Sequence, residues 1–266
     1  MAEEHNMTLE GALASLERDV ETAARAAAGA VRAIKALQNA VKQGELRKLD
    51  SAISAGRQAV NALGEQFATI QDGWTFDVKG YLSSGAFTRE LTDCARTQDV
   101  NIFEQDERLY CYPSLIRVLP GEQCVKIDKI KEARLRPRVL AAHLKAVQQR
   151  PPRFSPEAFL ESLHEAYRRL NPPQRGLPTP PGRVVTLLQI YELLTILPGQ
   201  SREYVKAEFA RDIYLLDRSA VTKTRNGPVV AFPASTGTRA PSALFTVITE
   251  NGGQKTYYGI SFHTSD

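Results

Sequence analysis

Residues able to do covalent or metal chemistry are few in this chain and badly spaced for it. Four histidines, His5, His143, His164 and His263, lie at no zinc-ligand spacing from one another or from the cysteines, and zinc needs three or four convergent ligands. Three cysteines, Cys94, Cys111 and Cys124, leave an odd thiol and contain no CxxC pair, so a disulfide framework is not expected and a reducing compartment fits best. No glycine-rich turn followed by Lys and Ser or Thr is present, no GxGxxG, and no GxSxG, which removes the usual phosphate cradles and nucleophile elbows. One fragment, Asp77-Val78-Lys79 with Asp72 upstream, has the spacing in which a carboxylate holds a metal while a lysine orients the attacking water. The four residues between the acids leave little room to place them on neighbouring strands. The expectation is a chain without catalytic activity, cofactor or metal.

Binding chemistry is better supplied. Val205, Phe209, Ile213 and Leu216 recur at helical spacing, and the opposite face of that helix would carry Tyr204, Ala207, Arg211, Tyr214, Leu215 and Arg218, with Lys206 at a flank. Arginine and tyrosine contact phosphates and bases, and the same pair is favoured at protein interfaces. The acids Glu203, Glu208, Asp212 and Asp217 balance the bases Arg202, Lys206, Arg211 and Arg218, so the helix has no net attraction for a polyanion. Lys223 and Arg225, with Arg239 beyond them, add positive charge after it. A denser cluster, Lys126, Lys129, Lys131, Arg134, Arg136 and Arg138, spans an expected strand end and helix start. With 34 Lys and Arg against 30 Asp and Glu overall, any nucleic-acid surface has to come from such local clustering.

The elements that would carry the first set follow in a suggestive order. Val184 to Leu194 reads as a buried helix, Leu197-Pro198-Gly199-Gln200 as a turn, and Ser201 as the cap of the helix bearing Phe209. Val221 to Arg225 and Val229 to Phe232 then flank Asn226-Gly227, a two-residue hairpin signal. Helix, turn, helix and hairpin in this order resembles a winged helix-turn-helix, which implies a binding module. A second hairpin is expected from Ala243 to Glu250 and Gln254 to Phe262 around Asn251-Gly252-Gly253.

The N-terminal stretch has a different pattern. Leu9, Leu13, Leu16, Val20, Ala23, Ala27, Ala30, Ile34, Leu37 and Val41 alternate spacings of three and four, much of the stripe being alanine. Gln43-Gly44-Glu45 breaks it, and Leu49, Ile53, Val60, Leu63, Phe67 and Ile70 continue a heptad seam in which Gly56 is the missing member. Two such helices pair most simply as an antiparallel hairpin. Leu49, Ile53, Val60, Leu63 and Phe67 are its expected partner-binding or self-association positions. Between hairpin and winged unit, a helix from Ala86 to Ala95, runs at Val100–Phe103, Leu109–Tyr112, Leu115–Leu119 and Cys124–Ile130, and a helix opened by Pro137 suggest a small α/β middle unit. Ser155-Pro156-Glu157 opens a further helix, and the stretch from Asn171 to Gly182 is proline-rich.

The expected fold is α+β and mostly helical. Its expected segments are a helical hairpin over residues 1–72, the middle domain over 73–150, a capped helix and linker over 151–182, and a winged-helix-like domain with an extra β-hairpin over 183–266. An arm plus a winged helix resembles, in architecture alone, the non-catalytic subunits of SMC-type complexes. The expected role is a nucleic-acid-associated adaptor or assembly subunit, with double-stranded DNA and a protein partner or a second copy as its ligands. The competing expectations are a protein-interaction scaffold and, behind it, a metal-dependent nuclease built on Asp77 and Lys79. A covered outer face on the Phe209 helix would favour the scaffold. The acidic start and the lack of any bilayer-length apolar run make the cytoplasm the expected location, without a membrane partner.

Overall fold

The computed structural model describes residues 8–105, 108–150, 154–172, 182–233 and 243–263. In chain order come helices α1 (Leu9–Gln43), α2 (Leu46–Gly73), α3 (Val78–Ser83) and α4 (Ala86–Arg96), then strands β1 (Phe103–Gln105), β2 (Arg108–Cys111), β3 (Ser114–Leu119), β4 (Cys124–Ile127) and β5 (Ile130–Glu132). Helices α5 (Pro137–Gln148) and α6 (Pro156–Leu170), strand β6 (Val185–Thr186), and helices α7 (Leu187–Leu194), α8 (Gln200–Glu203) and α9 (Lys206–Arg218) follow. Strands β7 (Val229–Ala231), β8 (Phe245–Ile248), β9 (Gln254–Tyr257) and β10 (Gly259–His263) complete the α+β fold. The chain divides into two compact units, each made of two stretches of sequence: residues 1–99 with 118–143, and residues 100–117 with 144–266. The composition change at Asp72-Gly73-Trp74 falls inside the first unit.

In the first unit α1 and α2 form the expected hairpin. Thr8 caps α1 by accepting from the Gly11 amide, and Gly44, at φ 67°, ends it in the left-handed conformation that glycine adopts at least cost. The turn is short enough that α2 runs back along α1. A hollow lined by Ala12, Leu16 and Asp19 from the start of α1, together with Gly73, Trp74 and Phe76, confirms the antiparallel sense. The start of α1 is anchored electrostatically. Glu90 of α4 accepts from the free amides of Leu9 and Glu10, each at 2.9 Å, and from the Tyr81 hydroxyl, a carboxylate at the positive end of a helix. Arg136 bridges Glu10 and Glu17, both at 2.8 Å. Burial would raise the Glu10 carboxyl, but the hydrogen bonds from Arg136 and from the Arg138 amide outweigh it and hold the group below its ordinary range. The expected run from Cys124 to Ile130 is two strands, not one. Asp128 takes a positive φ of 52°, and β5 folds back on β4 with Val125 opposite Glu132.

The second unit has one apolar core. Leu160 and Leu163 of α6, Leu187 and Ile190 of α7, and Phe209, Ile213 and Leu216 of α9 meet Phe245, Val247, Ile260 and Phe262 of the strands. Phe209 is fully buried at the centre, with ring centroids 5.5 Å from Tyr191, 5.1 Å from Phe245 and 6.2 Å from Phe159. Such a site is filled to the density of an organic crystal, so each ring constrains the others. Ser155 caps α6 as expected.

The helix expected from Val184 begins later, because Val185 pairs with Ile260 in a short strand and Thr186, in a capping box with Gln189, opens α7. Ser201 does not cap α9. It lies within the single turn α8, while Val205 occupies the N-cap of α9 and its amide donates to Glu208 at 3.0 Å. The first expected hairpin forms as a short turn with a single bridge, Lys223 to Val229, closed by amides of Thr224, Gly227 and Val230 donating to Pro228, Thr224 and Thr222 at 2.9, 3.0 and 2.8 Å, while the other edge of β7 pairs with β10. The three strands are ordered β6-β10-β7, all antiparallel. The second expected hairpin is present as β8 and β9, with Phe245 opposite Tyr257, and the chain turns at Tyr258 into β10.

Candidate functional site

The face of α9 expected to read a ligand is largely closed. One side of the helix packs on α6 and α7; the other is covered by the β8–β9 hairpin and the β2–β3 turn. Ala207, Tyr214 and Leu215 are buried. Tyr214 meets Tyr112 edge-on at 5.7 Å, and Arg218 lies 5.7 Å above the Tyr214 ring and 5.9 Å above the Tyr112 ring while pairing with Glu250. Asp217 accepts from Tyr257 at 2.7 Å and from Lys255. Arg211 is paired to Asp212 at 3.0 Å with its side chain 17% exposed. The Tyr204 hydroxyl donates to Asp212 at 2.7 Å, and burial together with that carboxylate pushes its pKa well upward. Of the α9 set, Lys206 and Arg218 remain exposed. Lys223 and Arg225 are exposed nearby, the Arg225 amide donating to Glu161 at 2.7 Å. Arg239 lies outside the described residues.

The dense basic cluster of the first unit is largely matched by acids. Lys131 pairs with Glu122 at 2.5 Å, and Arg134 holds Glu132 through two guanidinium contacts of 2.9 Å and 2.6 Å. Those hydrogen bonds lower the Glu132 carboxyl to about 2. Arg136 is spent on Glu10 and Glu17, and Arg138 lies 3.7 Å from Glu10. Lys129 stands exposed beside this network. Sequence density overstated the field because two of the neutralising acids come from the start of α1, more than a hundred residues earlier.

Asp77 does not sit on a strand. Its carboxylate accepts from the Gly80 amide at 2.9 Å and caps α3, and Lys79 belongs to that helix. Among the described residues no group of three or more His, Cys, Asp or Glu side chains is placed to hold a metal ion.

The positions expected to bind a partner through the helical hairpin separate into two rows. Leu49 and Leu63 are half-buried along the α1–α2 seam with Gly56, which is buried, opposite the small residues Ala23 and Ala30. Ile53, Val60 and Phe67 flank that seam and, with Leu46, make a row seven residues apart, exposed by 77% at Leu46, 50% at Ile53, 49% at Val60 and 63% at Phe67. A matching row on α1, Val20, Ala27, Ile34 and Val41, has Val20 49% and Val41 61% exposed. Each residue advances about 100° around a helix, so these rows lie about 40° beyond the seam rows that begin at Leu16 and Leu49. In an antiparallel pair such rows project from the same side. The α1 row and Leu46 were missed as surface, since a single-stripe reading gives every apolar residue to one seam; the detectable signal was a stripe too wide for one neighbouring helix.

No protein-family model, curated protein or solved structure matches the chain. No helix among the described residues is long and apolar enough to cross a membrane.

Proposed function

We propose that this protein is a non-catalytic assembly subunit whose second unit is a winged-helix derivative that engages another protein chain. The order α7, turn, α9, then the antiparallel pair β7 and β10 supports the winged-helix reading, with β6 completing the sheet and β8–β9 inserted between its last two strands. The observation that carries the functional reading is the closure of α9. A recognition helix must enter a groove with its outer side chains free, whereas here Tyr214 and Leu215 are buried and Arg211 and Arg218 are paired to acids. A protein partner needs no such helix. Ile196 and Leu197, 72% and 67% exposed in the α7–α8 turn, are apolar side chains a partner could cover.

Electrophoretic mobility shifts with duplex DNA, from low to physiological salt, test this reading. The expected result is no retarded complex even at low salt. Retention that falls steeply with salt and is weakened by Arg211→Ala or Arg218→Ala would return α9 to a nucleic-acid role. Retention abolished only by charge reversal at Lys129, Lys131 and Arg134 would place DNA binding in the first unit.

A further inference from the structure

We propose that the outer face of the α1–α2 hairpin is a dimer interface, occupied by the same face of a second copy of this chain lying antiparallel to it. This surface belongs to the first unit and α9 to the second, so DNA binding and self-association can fail separately.

The face is built for a helical layer. Two rows at strict seven-residue spacing, one on each helix, are the pattern that packs knobs into holes of a facing helix pair. On α1 a further row, Ala24 and Val31, lies about 40–60° beyond the row of Val20 and Ala27, so that Val20, Ala24, Ala27, Val31 and Ile34 repeat the spacing of four and three of a second complete seam. Val31 is 50% exposed. From Val20 to Val41 the face runs about 32 Å, and across two helices about 18 Å, a footprint on the order of 600 Å². That reaches the top of the range of apolar patches an ordinary monomer shows, and approaches the roughly 800 Å² per partner of a stable interface.

Charge and size select the second copy and its direction. The flank of α1 carries the acid Glu21 near its start and the bases Lys35 and Lys42 towards its end. A twofold axis across the middle of the face lays α1 against its counterpart in reverse, bringing Glu21 towards the partner's Lys42. It also sets Val20 against the partner's Val41, Ala27 against Ile34, Leu46 against Phe67, and Ile53 against Val60, a small residue facing a large one where the row narrows. The parallel alternative places α1 over α2 instead. Glu21 would then meet Glu65, and Lys42 would meet Arg47, like charges at both ends.

Sedimentation equilibrium of the full chain at micromolar concentration tests the proposal. The expected mass is twice 29.4 kDa. The double variant Val60→Asp with Phe67→Asp should sediment as a monomer with unchanged helicity by circular dichroism, because neither side chain lies in the α1–α2 seam. Lys42→Glu should weaken association about five- to tenfold, and adding Glu21→Lys should restore it. A wild-type monomer at every concentration, a mass above the dimer, or a dimer untouched by the two aspartates overturns the interface. Failure of the double charge swap to restore association overturns the antiparallel arrangement.

Discussion

The second unit and the α1–α2 hairpin of the first solve burial in opposite ways. In the second, three helices and two small sheets close around Phe209, and even the polar groups of α9 are taken up by neighbours such as Asp212, Glu250 and Asp217. In the first, the α1–α2 hairpin buries alanine and glycine and leaves its larger side chains, Ile53, Val60 and Phe67, in water. A core built from small residues brings helices close but stabilises them little, since hydrophobic stabilisation scales with the apolar area removed from water. The unit that looked like the binding module is the more closed of the two, and the hairpin that looked like its structural support has the open apolar surface.

Truncating the fully buried ring at the centre of the second core gives the strongest test of that contrast. Phe209→Ala should destabilise the second unit by about 3–5 kcal/mol, and hydrogen exchange should show the loss in α6, α7 and α9 while α1 and α2 keep their protection. Leu63→Ala, in the half-buried seam of the hairpin, should cost only about 1–2 kcal/mol, measured by denaturant unfolding followed at α-helical ellipticity. Equal costs at the two positions would erase the distinction between the units.

A smaller effect depends on pH and acts in both units, since the Tyr81 hydroxyl of the first is also raised by burial and by Glu90. The Tyr204 and Tyr257 hydroxyls of the second unit are raised above the ordinary 10.0, by burial first and then by Asp212 and Asp217. In the unfolded chain these groups lose their protons first, so the stability they contribute is intact below pH 10 and declines as the pH rises beyond it. Tyr204→Phe should cost about 1 kcal/mol at neutral pH and flatten part of the alkaline decline in unfolding midpoint. An unchanged slope would mean that the Tyr204–Asp212 pair contributes nothing to it.

Gly56 provides the finest distinction. It is buried in the seam, yet a methyl group there would meet no heavy atom within 4 Å. Gly56→Ala should therefore stabilise the hairpin by about 0.5–1 kcal/mol through helix propensity, read as a rise in unfolding midpoint. A fall would show that the helices depend on closer approach at that point.

Local chemistry was legible in the sequence wherever one stretch decides its own structure. The break at Gly44, the Ser155 cap, the hairpin at Asn251-Gly252 and the antiparallel pairing of α1 with α2 all follow from residues close together in the chain. What the sequence left open was which side of an element faces a distant neighbour. Arg136 and Arg138 read as part of a positive surface until Glu10 and Glu17 are brought to them by the fold. Val185 read as helix until Ile260 offered it a strand partner, because a ladder bond from seventy-five residues away outweighs local propensity. The outer face of α9 read as open because its periodicity identifies one buried stripe, and periodicity cannot report a second covering layer such as β8–β9. In the hairpin the same limit acted in reverse: two apolar rows 40° apart merge into one stripe in the sequence, and only the packing of α1 on α2 assigned one to the interior and the other to solvent.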